Sequence, residues 1–330
     1  MEPLHVDDQQ FSVAGDNVVS LSATPYTTER ILNCKMRWRG KHLGEIFLTE
    51  FSLDNDYVSR LCADGNILVN NASCDASTVI ENGDQIVHKW TAVEPVVQFP
   101  RNQWPCVIWK GDHAVAVFKP HGLATTPQGK FFKTNLVYIV KQHFGFAYSQ
   151  PVNRLDRAVA GLVIFTTSPL HQVKVTEKKY IAETVAALPD NVSESSAKLR
   201  VEKHVLNQVL KTVVDEENGV ESLTLFRPIS TCRKFVICSP ITGRTHQIRA
   251  HLHALEVPLV GDSTYSLTDS VAEMKQPEII HLFALEYVFE VDGEVVTVTC
   301  PEHVWSAWMP SHILTENNHK KVRLSDDSVN

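Results

Sequence analysis

The chain of 330 residues has no run of about 18 consecutive apolar residues, so no membrane-spanning helix is expected. It is short of positive charge, with 31 Lys and Arg against 38 Asp and Glu and a formal net charge of −7. That argues against a grip on nucleic acid through bulk charge, because phosphate contacts need Lys and Arg to displace counterions. The seven cysteines (Cys34, Cys62, Cys74, Cys106, Cys232, Cys238, Cys300) are scattered and odd in number, with no C-x-x-C pair and no adjacent histidine at zinc-finger spacing. Reduced thiols in a cytosolic-type compartment are expected, and no structural zinc. Met1 to Asp8 lack both the apolar core of a signal peptide and the Arg-rich character of a transit peptide. The expected location is therefore cytoplasmic, with a nuclear or mitochondrial pool left open. There is no Walker loop and no dinucleotide fingerprint.

What is present is a hydrophobic content of 43%, enough for a sizeable core. Residues 1–22 and 316–330 are polar and aperiodic and are expected to be disordered tails. Within residues 23–94, Leu43, Ile46, Phe47 and Phe51 recur at helical spacing, Tyr57 to Leu61 suggests a second helix, and Ile67 to Asn71 a strand entering a turn. With Arg60, Gly65 and Asn82-Gly83-Asp84-Gln85-Ile86, this order resembles an S4-like RNA-binding module; a structural adaptor fits the same residues. Glu94 to Pro105 is punctuated by proline and suggests a linker. In residues 95–315, β-type runs dominate: Ala114 to Phe118, Gly161 to Phe165, Tyr180 to Val185, Lys234 to Cys238 and Glu294 to Val298. Helices are expected at Thr134–Phe144 and Thr245–Leu255. The class is α+β, with a mixed, largely antiparallel sheet.

Positive charge is local. From Lys130 to Tyr180 there are eight Lys and Arg residues against only Asp156 and Glu177, a stretch that suits a phosphate backbone or a solvated basic face. At its centre, Asn153-Arg154-Leu155-Asp156-Arg157 precedes the strand Gly161 to Phe165, which puts Asp156 on a loop at one end of a sheet. Flanking arginines favour its ionised form, a usable nucleophile; a structural salt bridge with Arg157 is the alternative. Further on, Pro240-Ile241-Thr242-Gly243-Arg244-Thr245-His246-Gln247-Ile248-Arg249 turns out of a strand into a helix that Thr245 is expected to cap. His246, His251 and His253 have metal-like spacing but no carboxylate or thiolate pair beside them, so no metal is assigned.

These two segments resemble the signatures of the RluA-type pseudouridine synthases. Four further segments do so in order: Phe118-Lys119-Pro120-His121-Gly122-Leu123, Lys178-Lys179-Tyr180-Ile181-Ala182, Pro258 to Tyr265, and Ile280-His281-Leu282. Asn153 and the run from Met36 to Lys41 before the S4-like module resemble the eukaryotic branch that includes the fungal tRNA pseudouridine-32 synthases. The resemblance implies isomerisation of uridine to pseudouridine in tRNA or another structured RNA. It implies Asp156 as the catalytic carboxylate, Tyr180 as the active-site tyrosine and Arg249 as the partner of Asp156, with Arg154 entering the space left by the flipped base. Arg157, Lys119 and Arg244 are expected to contact RNA, and His246 and Gln247 to support the fold or contact its phosphates. No cofactor, metal or obligate protein partner is implied, and a monomer is expected. Asp156 attack at C1′ and removal of a 2′ proton both remain open.

The chain departs from the family pattern in three places. Val159-Ala160 stands where a Thr-Ser pair is usual, Thr126-Pro127 where His-Pro is common, and the stretch between Phe165 and Tyr180 is short enough to reduce its helix to a turn. A catalytically silent RNA-binding protein and a ribonucleoprotein scaffold are the alternatives.

Overall fold

Continuous apolar runs can be buried on both faces only by lying inside a sheet covered on both sides, and Ala114 to Phe118 and Gly161 to Phe165 do so. The computed structural model describes residues 9–14, 18–203, 210–229, 233–267 and 279–305. The chain divides into two units, Ala23–Glu94 and the combination of Met1–Ser22 with Pro95–Asn330.

The larger unit is built on an eleven-stranded sheet. Its strands are β1 (Cys106–Lys110), β2 (Ala114–Lys119), β3 (Gln150–Pro151), β4 (Ala160–Thr166), β5 (Val173–Glu183), β6 (Glu194–Lys203), β7 (Leu210–Val214), β8 (Val220–Pro228), β9 (Phe235–Pro240), β10 (Leu282–Val291) and β11 (Glu294–Thr299). They lie in the order β1-β2-β4-β10-β5-β9-β8-β6-β7, with β3 paired to β4 and β11 to β10. The β4–β10 pairing is parallel, through Ala160↔Phe283 and Gly161↔Ala284, while the other pairings of this sheet are antiparallel. The mixed, largely antiparallel α+β class follows. Every residue of β2 is buried, and so is β4 from Ala160 to Phe165. Farther out, β8 alternates, burying Ser222, Thr224 and Phe226.

Three helices accompany the sheet among the described residues: α1 (Leu136–Gln142), α2 (Gln247–Ala254) and the short α3 (Glu302–Trp305). Helix α1 is shorter than its apolar pattern suggests because Asn135 caps it, its side chain accepting a hydrogen bond of 3.0 Å from the Tyr138 amide. Helix α2 starts after His246, which has φ 53°, and Thr245 does not cap it. Between Phe165 and Tyr180 there is a turn and no helix; β5 begins at Val173. Among the described residues no helix is long and apolar enough to cross a membrane.

Two expectations for this unit need correction. The proline-punctuated stretch expected to be a linker contains the strand Val97–Pro100, paired with Val18–Ala23, which in turn adjoins Gln9–Ala14. Val19, Leu21, Val97 and Phe99 are buried, and this period-two pattern was too short to stand out beside the prolines. The tail expected over residues 1–22 therefore gives way to a paired strand from Val18. Residues 1–8, 15–17 and 316–330 lie outside the described residues, as does Cys232.

The smaller unit has helices at Leu43–Phe51 and Asn55–Ala63, the second capped by Asp54, which accepts from the Tyr57 amide at 2.8 Å. Its four-stranded sheet has the order Tyr26–Asn33, Gln85–Ala92, Ile67–Val69, Ala72–Ser73. Trp38, Leu43, Ile46, Phe47, Val58 and Ile86 form its core. The strand Tyr26–Asn33 was not legible in the sequence: its residues are half-buried or exposed, so no apolar alternation marks it. The turn at Asn70 and Asn71 is left-handed at both residues, with φ 53° and 61°.

Gly161 has φ +121°, and a Cβ there would collide with the backbone of Ala284 on β10. Gly161→Ala is therefore expected to cost about 3 kcal/mol or more of stability, measured by denaturant unfolding. An unchanged midpoint would show that the β4–β10 contact relaxes freely.

Candidate active site

The Asp156 loop, between β3 and β4, is held by polar groups that the sequence scatters over half the chain. Asn153 Oδ1 accepts from the Ile164 amide at 2.8 Å, and its Nδ2 donates to Tyr287 Oη at 3.1 Å. Thr125 Oγ1 donates to the Leu155 carbonyl at 2.7 Å and accepts from the Leu155 amide at 3.2 Å. Lys119 Nζ donates to the carbonyls of Pro120, Leu123 and Arg157 at 2.9, 2.8 and 3.3 Å. His121 Nδ1 lies 2.8 Å from the Ala158 carbonyl oxygen.

Lys119 is thus a tie inside the protein and not the RNA contact expected of it. Its side chain is fully buried, and burial pushes its ammonium down to about 7 against the upward pull of Asp156. Of the two roles expected of Gln247, the fold-supporting one is what its contacts show. The residue is 4% exposed; its Oε1 accepts from Thr242 Oγ1 and the Arg244 amide, and its Nε2 donates to the Leu223 carbonyl and Thr224 Oγ1. Its hydrogen-bonding groups tie α2 to β8 and to the turn after β9.

Helix α2 delivers Arg249 to Asp156. Arg249 Nη1 donates to Asp156 Oδ2 at 2.9 Å, while Nε and Nη2 form a two-pronged pair with Asp262 at 2.7 and 2.8 Å. The guanidinium also lies 4.8 Å from the centre of the Tyr265 ring. Burial alone would lower the Arg249 pKa, but Asp262 and Asp156 outweigh it and raise it. His246 Nε2 is 3.4 Å from Asp156 Oδ2, and its Nδ1 is 3.1 Å from Tyr265 Oη. Burial lowers the His246 pKa despite Asp156 beside it.

The Asp156 side chain remains 32% exposed. Burial pushes its pKa up, but His246, Arg249 and Lys119 pull it down further, and the carboxyl sits below its ordinary value. Tyr180, on β5 next to a bulge, shares its cavity. The Tyr180 and Tyr287 hydroxyls are 2.7 Å apart, and burial pushes the Tyr180 phenol up to about 12, so it is protonated at neutral pH.

This cavity measures 940 Å³. Among the described residues Asp156 is the one carboxylate on its lining, against Arg154, Arg157, Lys174, Lys178, Arg244 and Arg249. Arg154 is exposed and reaches Gln128 Oε1 at 3.4 Å, and Arg244 is exposed with Nε on the Glu221 carbonyl at 3.2 Å. Arg157 lies 5.7 Å from the centre of the Phe131 ring. The structure thus gathers Asp156, Tyr180, Arg249, Arg154, Arg157, Arg244 and His246 around one space. The sequence reading gave no role to Asp262, Tyr265 or Tyr287. The first two were quoted within a motif, but nothing in it says that they pack on Arg249. Val159 and Ala160 are buried.

The family described as RNA pseudouridylate synthase matches residues 113–254. The chain is related to the pseudouridine synthases. It is 34% identical over 247 residues to the tRNA pseudouridine(32) synthase, mitochondrial, of Saccharomyces cerevisiae, covering 71% of this chain and 52% of that protein. It is 29% identical over 256 residues to RNA pseudouridine synthase 7 of Oryza sativa, covering 73% of this chain and 64% of that protein. The chain thus spans between about half and two thirds of the length of these relatives. The solved structure of human RNA Pseudouridylate Synthase Domain Containing 4 aligns with 20% identity and a TM-score of 0.45, over 67% of this chain and 94% of that one.

A depressed folded-state pKa means that the ionised Asp156 favours the folded state. Its contribution is complete above the unfolded carboxylate range and is lost as pH falls through the lowered folded value. In Arg249→Gln, the carbon-13 carboxyl resonance of Asp156 should titrate at higher pH than in the wild type. Stability at pH 7 should fall by about 3–5 kcal/mol, because Asp262 loses the cation that compensates its burial. An unmoved Asp156 titration would show that Arg249 does not set the charge of the site.

Proposed function

We propose that this protein is an RluA-type RNA pseudouridine synthase acting on tRNA or another structured RNA. The observation that carries the reading is an ionised carboxylate, Asp156, fixed by Arg249 in a cavity otherwise lined by cations. At 940 Å³ the space is near the upper end of the roughly 300–1,000 Å³ usual for ligand pockets, room for an extruded nucleotide with flanking backbone.

A uracil within a stack must be flipped before its glycosidic bond can be reached, and the exposed planar cation of Arg154 suits the gap it leaves. Lys174, Lys178 and Arg244 face the phosphates. The N1–C1′ bond breaks and C5 joins C1′; the C5 proton is lost and N1 gains one. Asp156 either attacks C1′ or removes a 2′ proton. Tyr180 stacks on the detached base and, as a neutral phenol linked to Tyr287, relays the proton that C5 releases by passing its own proton on as it takes that one. The exchange of one glycosidic bond for another needs no electron carrier or group donor.

The smaller unit is read as an S4-like RNA-binding module that adds to the grip, in keeping with the eukaryotic branch of the family. The protein acts as a monomer without an obligate partner. It is placed in the cytoplasm; the yeast relative named as mitochondrial makes an organellar pool the second place to look.

Wild-type protein incubated with bulk tRNA should form pseudouridine, and Asp156→Asn should lower the single-turnover rate by at least about 10³-fold. Equal silence from both, with RNA binding intact, would replace the enzyme reading by that of an RNA-binding scaffold. A transcriptome-wide pseudouridine map with and without the protein identifies the uridine.

A further inference from the structure

Three tight turns meet at the end of the large sheet away from Asp156. Along β4 the separation is set by register: Gly161, beside the Asp156 loop, pairs with Lys119, and Thr166 at the far end pairs with Ala114. The five residue steps from Gly161 to Thr166 put about 17 Å between the two ends. At the far end the β1–β2 turn presents His113, the turn before β5 presents His171, and the two-residue β10–β11 turn presents Asp292.

The backbones of these turns are defined. Asp292 and Gly293 both have positive φ, 54° and 82°, the conformation of an Asp-Gly hairpin turn that matches the twist of its strands. The Thr167 amide donates to the His113 carbonyl at 2.9 Å, tying the first turn to the end of β4. The His113 and His171 rings stack, with centroids 3.5 Å apart and planes 14° from parallel. His171 Nδ1 is 2.5 Å from Asp292 Oδ1, and His113 Nε2 is 3.8 Å from Asp292 Oδ2. The side chains are 33%, 33% and 42% exposed, so an ion can reach them from solvent.

We infer that His113, His171 and Asp292 form a site for one divalent first-row transition ion of zinc type, made of residues outside the lining of the RNA cavity, which along β5 reaches only to Val173. Two imidazole nitrogens and one carboxylate oxygen are the donor set of such an ion, whereas magnesium and calcium prefer oxygen alone. The three donors lie within 4.8 Å of one another. Ligands on a tetrahedral ion with bonds of about 2.0–2.1 Å sit about 3.3 Å apart, a closure that rotation of half-exposed side chains supplies. Water fills the fourth position. The ion replaces the hydrogen bond between His171 and Asp292 and displaces any proton on the two ligating nitrogens. Binding tips the two near-parallel rings out of their stack so that each aims an in-plane lone pair at the ion, and the three turns become cross-linked.

The test uses the full-length chain, stripped with a chelator and kept in a phosphine reductant, titrated with zinc chloride by calorimetry and with cobalt chloride by visible absorption. The wild type should take up one more equivalent of zinc than Asp292→Asn or His171→Gln. In the variants the affinity of that equivalent should fall at least about 100-fold. Cobalt should give the visible bands of a four-coordinate ion in the wild type only. Zinc should raise the melting temperature of the wild type and leave that of the variants unchanged. All three changes are on turns, and melting in chelator checks that each variant folds; His113→Gln is the substitute if one does not. Wild type and variants taking up the same equivalents with the same affinity, as cysteines elsewhere in the chain would produce, overturns the proposal. So does a wild type that binds no zinc.

Discussion

The site depends on one guanidinium lying between two carboxylates. Arg249 is 4% exposed, and a cation so far from water is tolerable only if its donors are used. Asp262, itself buried, takes Nε and Nη2 in the planar two-pronged geometry that fixes the guanidinium in rotation as well as position. Nη1 is then left pointing at Asp156. One bidentate pair therefore sets the direction from which the second carboxylate is held. It also requires α2, the segment ending at Tyr265 and the loop before β4 to come together, elements separated in sequence by about a hundred residues at the widest.

That pairing would be idle if the Asp156 loop could drift. It is held from the other side by groups that share no motif with it: Lys119 and Thr125 on backbone atoms, and Asn153 between the Ile164 amide and the Tyr287 hydroxyl. Tyr287 in turn lies against the Tyr180 hydroxyl. The loop that carries Asp156 and the strand that carries Tyr180 are thus joined through a single phenol on β10. A buried polar chain of this kind is costly unless complete, and its members here do find partners.

Much of this was legible in the sequence. Runs such as Ala114 to Phe118 and Gly161 to Phe165 are apolar without interruption, and only strands covered on both faces suit them. Asp156 and Arg249 stood out because each sits in a segment whose residue types agree with one chemistry. The strand Tyr26–Asn33 was hidden because its face toward solvent is mixed and its other face only half covered, which leaves no period to detect. Val97–Pro100 was hidden by its prolines, although Pro100 only ends the strand. Asp262 was visible as a letter and invisible as a partner: its value to the site comes from 0% side-chain exposure beside Arg249, a property of the folded chain alone.

Residue type also leaves the role of a cation undecided until the acceptors around it are known. Lys119, Arg154, Arg244 and Arg249 are all basic residues in family-like segments. Lys119 has three carbonyls within reach and no access to solvent; Arg249 has two carboxylates. Arg154 and Arg244 are exposed, each with one neutral acceptor at 3.4 and 3.2 Å. A guanidinium with one long contact keeps most of its donors for a ligand, whereas Arg249 has three of its five N–H donors fixed on two carboxylates. The division also removes the conflict between a net charge of −7 and an RNA surface. The inward cations hold a carboxylate in place while the outward ones surround it, so a small positive field is concentrated where an anionic backbone would have to lie, on a protein that elsewhere repels one.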